Sequence, residues 1–524
     1  MGKTLEQVIK RFDGGIEDDP RTPPRNGGAL IKHFDIFSNP YKLTPYRGTE
    51  ADHATAVSST DAKQYDIYKP TLASTGLLYG LGKNGSGYPK VLRKADPTTG
   101  NWLSSAGNAA ATAEGEGNAA RITGCFIEWA SAFFFLQGTN QIAKVALTGA
   151  ITNSVSTTGT TIVTTAQGVV FGNKLFIPYN NKMFSVASDG STVVDDVTPA
   201  LPSDMRITSV SVWGNYIMIG MAYGTSATAS PTGRSKVFQW DGSSTSAFND
   251  TLDWGDGALM CLGTIEGRVV GVTNNALETP SGLTSLALGS GSMVVRMWAG
   301  GTPQVFKELV GSQTVTLGRM KSEVVIKNNK MYWIASVPLE DSSATESTYH
   351  LGIWCFGRKN VNSNFALTLD YIIQTKLDSS NFKINSFGAA GNYWFLNHSA
   401  DGSLAKTNDA ESFGETSTFI TVIMNFDDAS VTKKLKGITV YTAPLPSGSE
   451  VYVYYRKDEE TSWTNILYTD TDNLLRYSVI NDEQTVPGAE LPEFKEIQFK
   501  ITSDGGAEIT GFRCRAEVIL DDVY

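Results

Sequence analysis

The sequence predicts an all-β fold: a β-propeller of six or seven blades, with an extended N-terminal arm and a C-terminal β-sandwich. Three observations predict it. A strand–turn–strand unit recurs along the middle of the chain, helical periodicity is almost absent, and the C-terminal part alternates as half-buried strands do. The predicted boundaries are 1–70 for the arm, 71–412 for the propeller and 413–524 for the sandwich.

In the recurring unit, a turn that contains Gly or Asn joins two strands of aromatic and β-branched residues. The clearest copies read FGNKLFIPYNNKMFSV, WGNYIMIGMAY, IEGRVVGVTNN, KNNKMYWIASV and AAGNYWFLNHSADGSLAK. They begin at Phe171, Trp213, Ile265, Lys327 and Ala389, and two looser copies begin at Gly76 and Glu128. The spacing of about 40–65 residues is near the period of four-stranded propeller blades. Because one hairpin cannot bury its apolar face alone, neighbouring units must pack on one another.

The N-terminal arm contains too many prolines for a regular helix or a central strand. It also contains apolar anchors that disordered tails lack. These anchors are Phe12, Ile16, Leu30, Phe34, Ile36, Phe37, Tyr41, Leu43 and Tyr46. We therefore predict an extended arm laid on a protein surface. The best helix candidate in the whole chain is the opening LEQVIKRF, whose apolar residues recur at helical spacing.

The C-terminal part consists of longer alternating segments separated by turns. In EVYVYYRK, Val451 and Val453 alternate with Tyr452 and Tyr454, as in a sheet with one buried face. TFITVIMNF, KGITVYTA, FKEIQFKIT and EITGFRCRAEVIL are similar segments. Several such strands in a short stretch predict a compact β-sandwich.

Charge and composition narrow the classes of partner. The chain has 53 acidic and 43 basic residues, a net charge of −10, which disfavours tight binding to nucleic acid. No apolar run is long enough for a membrane segment. The four cysteines lie far apart without metal-ligand spacing, which is typical of buried thiols in a protein made in a reducing cytoplasm.

Residues that could carry chemistry are few. The four histidines lack zinc-site spacing, and the GLGKNGSG run from Gly80 is not followed by a helix that could bind phosphate. Asp189 in SDGSTV and Asp401 in SADGSLAK resemble the Asp turns of sialidase-type propellers, but Asp-Gly is also a common tight-turn pair. DWGDG from Asp253 and DDAS from Asp427 lack calcium-loop spacing. We predict no catalytic residue, no metal site and no cofactor, and so no enzyme.

A sequence pattern in the N-terminal arm indicates a class of protein. It has an F-x-G-G-hydrophobic segment, a Pro-Arg pair after acidic residues, an aromatic-Asp-hydrophobic segment and a Leu-x-Pro turn. Its residues are Phe12, Gly14, Gly15, Ile16, Pro20, Arg21, Phe34, Asp35, Ile36, Leu43, Pro45 and Arg47. This pattern resembles the opening of propeller-type virion proteins from tailed bacteriophages.

The resemblance implies a structural component of a phage tail, of the nozzle, tail-tube or collar type, located in the virion and synthesised in the host cytoplasm. It implies a ring of copies, six-fold, around the DNA exit path, with the arm residues contacting neighbouring copies or other tail or portal-proximal proteins. Genome DNA is expected to pass without specific binding, since exposed carboxylates repel phosphate within about 8–10 Å.

Two alternatives stay open at this stage. One is a carbohydrate-binding or polysaccharide-cleaving propeller of the tail, favoured by the supply of 10 tryptophans and 20 tyrosines. The other is a generic propeller that serves as an interaction scaffold, since fold alone does not define function.

Overall fold

The computed structural model describes most of the chain. The described residues are 4–12, 14–16, 27–47, 49–51, 68–83, 89–94, 103–104, 121–147, 151–157, 161–162, 166–224, 233–275, 292–310, 313–314, 324–338, 349–374, 384–398, 404–407, 416–469, 477–481 and 491–519. In these ranges the secondary structure consists of strands without any helix, which confirms the all-β prediction. Accordingly, the described ranges hold no helix with the length and hydropathy that crossing a bilayer requires.

The chain divides into two compact units. Unit 1 comprises Met1–Thr49, Pro338–Lys376 and Asn408–Tyr524, and unit 2 comprises Glu50–Val337 and Leu377–Thr407. This division follows a different line from the predicted boundaries near 70 and 412. The N-terminal strands of unit 1 pair with strands from much later in the chain, and such pairing leaves no local mark in a sequence.

The strands are numbered in chain order. The N-terminal strands of unit 1 are β1 (Thr4–Ile9), β2 (Gly15–Ile16), β3 (Gly27–Gly28), β4 (Leu30–Lys32), β5 (Phe34–Asp35) and β6 (Thr44–Pro45). The first strands of unit 2 are β7 (Thr49–Ala51), β8 (Tyr68–Leu72), β9 (Leu78–Lys83), β10 (Pro89–Lys94), β11 (Leu103–Ser104), β12 (Arg121–Trp129), β13 (Ala132–Gln137), β14 (Gln141–Ala146), β15 (Ile151–Thr157), β16 (Val169–Phe171), β17 (Lys174–Tyr179), β18 (Lys182–Val186) and β19 (Val193–Val194).

Unit 2 continues with β20 (Met205–Trp213), β21 (Tyr216–Tyr223), β22 (Arg234–Trp240), β23 (Asp250–Asp256), β24 (Ala258–Ile265), β25 (Arg268–Asn275), β26 (Ser292–Trp298), β27 (Gln304–Val310), β28 (Gln313–Thr314), β29 (Val325–Lys327) and β30 (Lys330–Pro338). Unit 1 then contributes β31 (Tyr349–Gly357) and β32 (Ala366–Gln374), and unit 2 ends with β33 (Ile384–Ala390), β34 (Tyr393–His398) and β35 (Leu404–Thr407). The C-terminal strands of unit 1 are β36 (Ser417–Ile420), β37 (Lys433–Thr442), β38 (Glu450–Lys457), β39 (Thr464–Thr469), β40 (Tyr477–Asn481), β41 (Glu493–Phe494), β42 (Ile497–Asp504) and β43 (Ile509–Val518).

Unit 2 is a β-propeller. Five of its sheets are antiparallel and take four consecutive strands each, β8–β11, β12–β15, β16–β19, β20–β23 and β24–β27. In the same unit β28 and β29 each pair antiparallel with β30, and a further four-stranded sheet runs β33-β34-β35-β7, so that a strand from before the first sheet completes it. The sheets adjoin one another in chain order, and β33 lies beside β8, which closes the ring. The predicted propeller of six or seven blades is confirmed.

The recurring turn of the sequence is a two-residue hairpin, which joins β12 to β13, β16 to β17, β20 to β21, β24 to β25, β29 to β30 and β33 to β34. Ala130 and Ser131 (φ 48° and 59°) form one such turn, and Asn328 and Asn329 (φ 51° and 57°) form another. Two consecutive residues with positive φ give the turn a twist that matches the flanking strands, which explains the Gly and Asn residues of the repeat.

Neighbouring blades share their cores. Phe134 on β13 packs in one cluster with Ile177 on β17, and both side chains are fully buried. Hydrogen bonds join blades as well: the Trp129 Nε1 donates to the Ala187 carbonyl (2.9 Å), and the Trp213 Nε1 donates to the Gly267 carbonyl (2.7 Å). The aromatic residue before the hairpin therefore packs and donates to the next blade at both positions.

Unit 1 contains the predicted β-sandwich. One sheet runs β1-β43-β37-β40, and the other includes β32-β4-β36-β42-β38-β39 in that order. Phe499 on β42 and Phe512 on β43 pack between the sheets, with ring centroids 5.0 Å apart. Val451 and Val453 are 1% and 0% exposed, so the alternation of β38 identifies its buried face correctly.

The predicted helix at LEQVIKRF is wrong. These residues contain β1, which pairs antiparallel with β43 from Thr4 opposite Glu517 to Ile9 opposite Phe512. A helix of this length is marginal in water, whereas β43 offers a complete row of backbone hydrogen bonds. The tertiary partner therefore overrides the local pattern.

Candidate assembly interface in the N-terminal segment

The N-terminal segment, defined here as residues 4–47, forms part of the interior of unit 1. Its strand β4 lies between two strands from distant parts of the chain, parallel to β32 and antiparallel to β36. Ile31 stands opposite Phe419 in this register and is 0% exposed. Because β4 has a neighbouring strand on each edge, this part of the segment is bound as a strand of a sheet in unit 1.

The apolar members of the phage-like pattern are buried by their own unit. Phe12, Ile16, Phe34, Ile36 and Leu43 are 0%, 2%, 0%, 1% and 0% exposed. The Phe12 ring meets the Phe419 ring edge to face with 5.4 Å between centroids. The backbone of Leu43 exchanges hydrogen bonds with that of Ile509, at 2.8 and 3.1 Å.

One of the two glycines of the pattern, Gly15, allows close approach to β32. Gly15 has φ +74°, and a Cβ added there would lie 2.9 Å from the Ala366 Cβ and 2.9 Å from the Leu367 N. Only glycine fits such a position without strain. Gly14 beside it is half-buried. Gly15 therefore serves packing within the unit.

Asp35 and Pro45 belong to a short paired turn. Phe34 stands opposite Pro45 in the β5–β6 pair. The Asp35 Oδ1 accepts hydrogen bonds from the backbone N of Phe37 (2.8 Å) and of Ser38 (3.0 Å), and its Oδ2 accepts from the Ser38 hydroxyl. The carboxylate thus stabilises the turn that follows β5.

The rest of the pattern lies at the surface or beyond the described residues. Arg47 is exposed, whereas Pro20 and Arg21 fall outside the described residues. Near Arg47 in sequence, Tyr41 is 59% exposed, and the Arg11 guanidinium lies 5.7 Å from the centroid of its ring. Arg11, Tyr41 and Arg47 are therefore exposed, whereas the apolar anchors of the pattern are buried.

A buried polar cluster joins the segment to β32, and the sequence gives little sign of it. His33 is 1% exposed with φ 61°, and the Tyr46 Oη donates to the Asp370 Oδ2 at 2.9 Å. The rings of Tyr46 and Tyr371 lie 6.0 and 5.9 Å from that of His33. Neither ring nitrogen of His33 has a hydrogen-bond partner, and burial, aided by the charge of Lys32, lowers its pKa to about 4. Burial also raises the pKa of Tyr371, with a further contribution from Asp370.

Backbone hydrogen bonds within the chain help to order the N-terminal segment. Ordering backbone costs about 1–2 kcal/mol per residue, and the apolar anchors offset only part of that cost. Backbone hydrogen bonds must contribute the rest. In the structure, β43, β32 and β36 of the same chain supply such bonds. Contact of the exposed residues with a partner stays a prediction.

The acidic residues considered for catalysis serve turns and surface ion pairs where they are described. The Asp189 carboxylate accepts from the Thr192 hydroxyl (2.6 Å) and from the backbone N of Thr192 and of Ser191 (2.8 Å each), and these bonds lower its pKa. Asp253 lies 3.0 Å from Arg234, an ion pair at the surface. Asp401 is outside the described residues.

The described residues give no support for a phosphate site at the run from Gly80 or for a metal site. The run from Gly80 continues strand β9 up to Lys83, after which the described part resumes at β10. Within the described ranges, no group of three or more His, Cys, Asp or Glu side chains is arranged to hold a metal ion. All four cysteines are buried and free of disulfides.

Comparisons with known proteins add similarity at the level of solved structures. No protein-family model and no curated protein matches the sequence. Three similar structures are the N-terminal domain of Nup159 (TM-score 0.40, 9% identity, 75% of this chain and 98% of that one), YCF48 bound to D1 peptide (0.42, 9%, 74% and 99%) and the Neurospora crassa Pan2 WD40 domain (0.37, 11%, 73% and 100%). At these TM-scores the similarities carry no argument about what this chain binds.

Proposed function

We propose that this chain is a structural component of a bacteriophage tail, forming part of a ring or tube around the DNA exit path. The observation that carries the proposal is the N-terminal pattern that resembles propeller-type virion proteins, together with its use in the fold. The described residues of the pattern are buried in the core, stabilise a turn or are exposed. Gly15 packs closely against β32, and the backbone of Leu43 is hydrogen-bonded to that of Ile509. A segment built in this way supports a rigid building block rather than a catalyst.

The proposed partners are further copies of this chain, in a six-fold ring, and other tail or portal-proximal proteins. The exposed Tyr41 and Arg47 are the candidate contacts, since aromatic and arginine side chains are enriched in protein interfaces. Val8, 39% exposed on the edge strand β1, lies in the same N-terminal segment. The location that follows is the virion tail, with synthesis in the host cytoplasm.

Assembly is tested on the purified full chain by mass photometry and negative-stain imaging, alone and with the products of neighbouring genes. We expect rings, and we expect Tyr41→Glu to weaken them because it places a charge at the contact. Val361→Glu is the matched control, since Val361 is 74% exposed in the same unit. A chain that stays monomeric alone and with every neighbouring product would contradict the proposal, as would equal ring formation in both variants.

The proposal includes that the chain is not an enzyme. Asp189 is engaged by three hydrogen bonds in its own turn, which supports a structural role for that carboxylate. We expect no release of reducing sugars when the purified chain is incubated with a panel of bacterial polysaccharides. Release that Asp189→Asn abolishes would replace the structural proposal with the polysaccharide-cleaving alternative.

A further inference from the structure

Unit 1 carries aromatic and basic side chains on the outer side of strand β38. Tyr452, Tyr454 and Arg456 alternate with the buried valines of that strand and are half-buried. Lys500 on β42 stands opposite Tyr454 in the register, and Trp463 lies in the segment just before β39. We call these five residues the aromatic face.

The rings and cations of the aromatic face contact one another. The Tyr452 and Tyr454 rings have centroids 6.3 Å apart and planes 25° apart. The Lys500 Nζ lies 4.7 Å from the Tyr454 centroid and 5.3 Å from that of Trp463, and the Arg456 Cζ lies 4.7 Å from Trp463. Such cation–π contacts hold the rings in place while part of their surface stays in water.

The support beneath the aromatic face is rigid. Strand β38 pairs with β39 on one edge and with β42 on the other, so its backbone is fixed. The Arg456 Nε donates to the Gln498 Oε1 at 2.8 Å, and Gln498 itself is 2% exposed. A surface whose side chains are already held loses less conformational freedom when a ligand binds.

Charge at the aromatic face indicates the chemistry of its ligand. Glu450 and Asp504 stand opposite each other at one end, and Arg456 lies toward the other end of the same strand. The Tyr452 Oη donates to the Glu450 Oε2 at 2.7 Å, a bond that raises the pKa of Tyr452 to about 12. Because both signs of charge are present, a polyanion such as nucleic acid is poorly matched.

We propose that the aromatic face binds a polysaccharide chain. A sugar ring has an apolar C–H side, which can pack against the part of the half-buried Tyr454 and Trp463 rings that stays in water, and a rim of hydroxyl groups that can both donate and accept hydrogen bonds. Arg456 and Lys500 donate to that rim, and Glu450 accepts from it. The site lies in the sandwich and is independent of the assembly role proposed for the N-terminal segment.

Affinity electrophoresis tests the proposal with the full chain in native gels that contain one of four neutral polysaccharides, laminarin, mannan, dextran or pullulan. We expect retardation by at least one polysaccharide, and a rise of about tenfold or more in Kd when Tyr454→Ala is combined with Trp463→Ala. Tyr454→Phe keeps the ring and is expected to keep most of the binding. Val361→Ala is the control, because it removes an exposed apolar side chain elsewhere in unit 1 and outside the proposed contacts.

Several results would overturn the proposal. Unaltered mobility in all four gels is one, and retardation that survives the double alanine variant is another. Retention by oligo(dT) that the same variant abolishes would assign the face to single-stranded nucleic acid, which also stacks on aromatic side chains. Circular dichroism checks the fold of each variant, and the single variants Tyr454→Ala and Trp463→Ala replace the double variant if it does not fold.

Discussion

Single residues of the N-terminal segment determine how the segment packs in unit 1. Gly15 combines a positive φ with backbone and Cβ atoms of β32 at 2.9 Å from where a methyl group would lie. Gly448, in the same unit, has φ +75° but nothing within 4 Å of that position. Substitution of Gly448 by alanine therefore measures the cost of the backbone conformation alone, and substitution of Gly15 adds the cost of overpacking.

We predict that Gly15→Ala lowers the free energy of unfolding by about 2–4 kcal/mol, whereas Gly448→Ala lowers it by about 1 kcal/mol. The first change adds steric conflict to the conformational cost, and the second adds conformational cost alone. Urea denaturation followed by intrinsic fluorescence measures both. An equal loss in the two variants would show that the contact with β32 is looser than described here.

The buried histidine predicts a pH dependence. The pKa of His33 is lowered to about 4 in the folded chain, below its ordinary value of 6.5. As pH falls from 6.5 toward 4, the unfolded chain binds a proton that the folded chain does not, so stability is lost over that range. The loss reaches about 3 kcal/mol near pH 4 and below. Lys32, Asp370, Tyr46 and Tyr371 are the charged and titratable groups around the ring.

His33→Asn tests this dependence, because Asn tolerates positive φ and does not titrate. Urea midpoints measured from pH 7.5 to 4.5 are expected to fall more steeply in the unmodified chain than in the variant. The carboxylates and the other three histidines titrate in both chains, so the difference isolates His33. Parallel curves would mean that the ring is hydrated enough to protonate normally.

At the scale of elements, β4 is the strand on which the second sheet of unit 1 depends. It separates β32 from β36, so its removal leaves two strand edges and their apolar side chains exposed. Strand β1, by contrast, lies at the end of the other sheet. Among the described strands of that sheet, it pairs with β43 only. Loss of an inner strand and loss of an edge strand should therefore have different consequences.

We predict that deletion of residues 1–47 unfolds unit 1, while deletion of 1–11 leaves β36 and β42 paired. Hydrogen exchange of 417–420 and 497–504 measures the outcome, because these residues form that pair. Rapid exchange is expected only in the longer deletion. Slow exchange of 417–420 and 497–504 in the chain that lacks residues 1–47 would mean that unit 1 does not need β4. The N-terminal segment would then be an arm on the surface, as the sequence predicts.

For the whole molecule, net charge limits what it can bind. With 53 acidic and 43 basic residues, the net charge of −10 disfavours an extended positive surface for duplex DNA. We predict no mobility shift of duplex DNA at about 10 µM protein, even at about 50 mM salt, where electrostatic binding is strongest. A shift that disappears as salt is raised would reveal a local basic surface and would contradict passage of DNA without binding.

Local patterns in the sequence predicted the propeller and the sandwich, because the information lies in adjacent residues. Two-residue turns such as Asn328–Asn329 and the alternation of Val451 and Val453 act within one hairpin or one strand. Burial of Phe12 and Leu43 was also predictable from their apolar character. Which surface buries them was not, since residues at one end of the chain meet Phe419 and Ile509 near the other.

Tertiary structure alone decided that β1 is a strand, that β4 completes a sheet and that β31 and β32 belong to unit 1 rather than to the propeller unit. It also brought His33 against Asp370 and Tyr371. The physical reason is the same in each case. A strand is stabilised by whichever edge pairs with it, and an edge far along the chain is selected by the packing of the complete unit, not by the residues next to the strand.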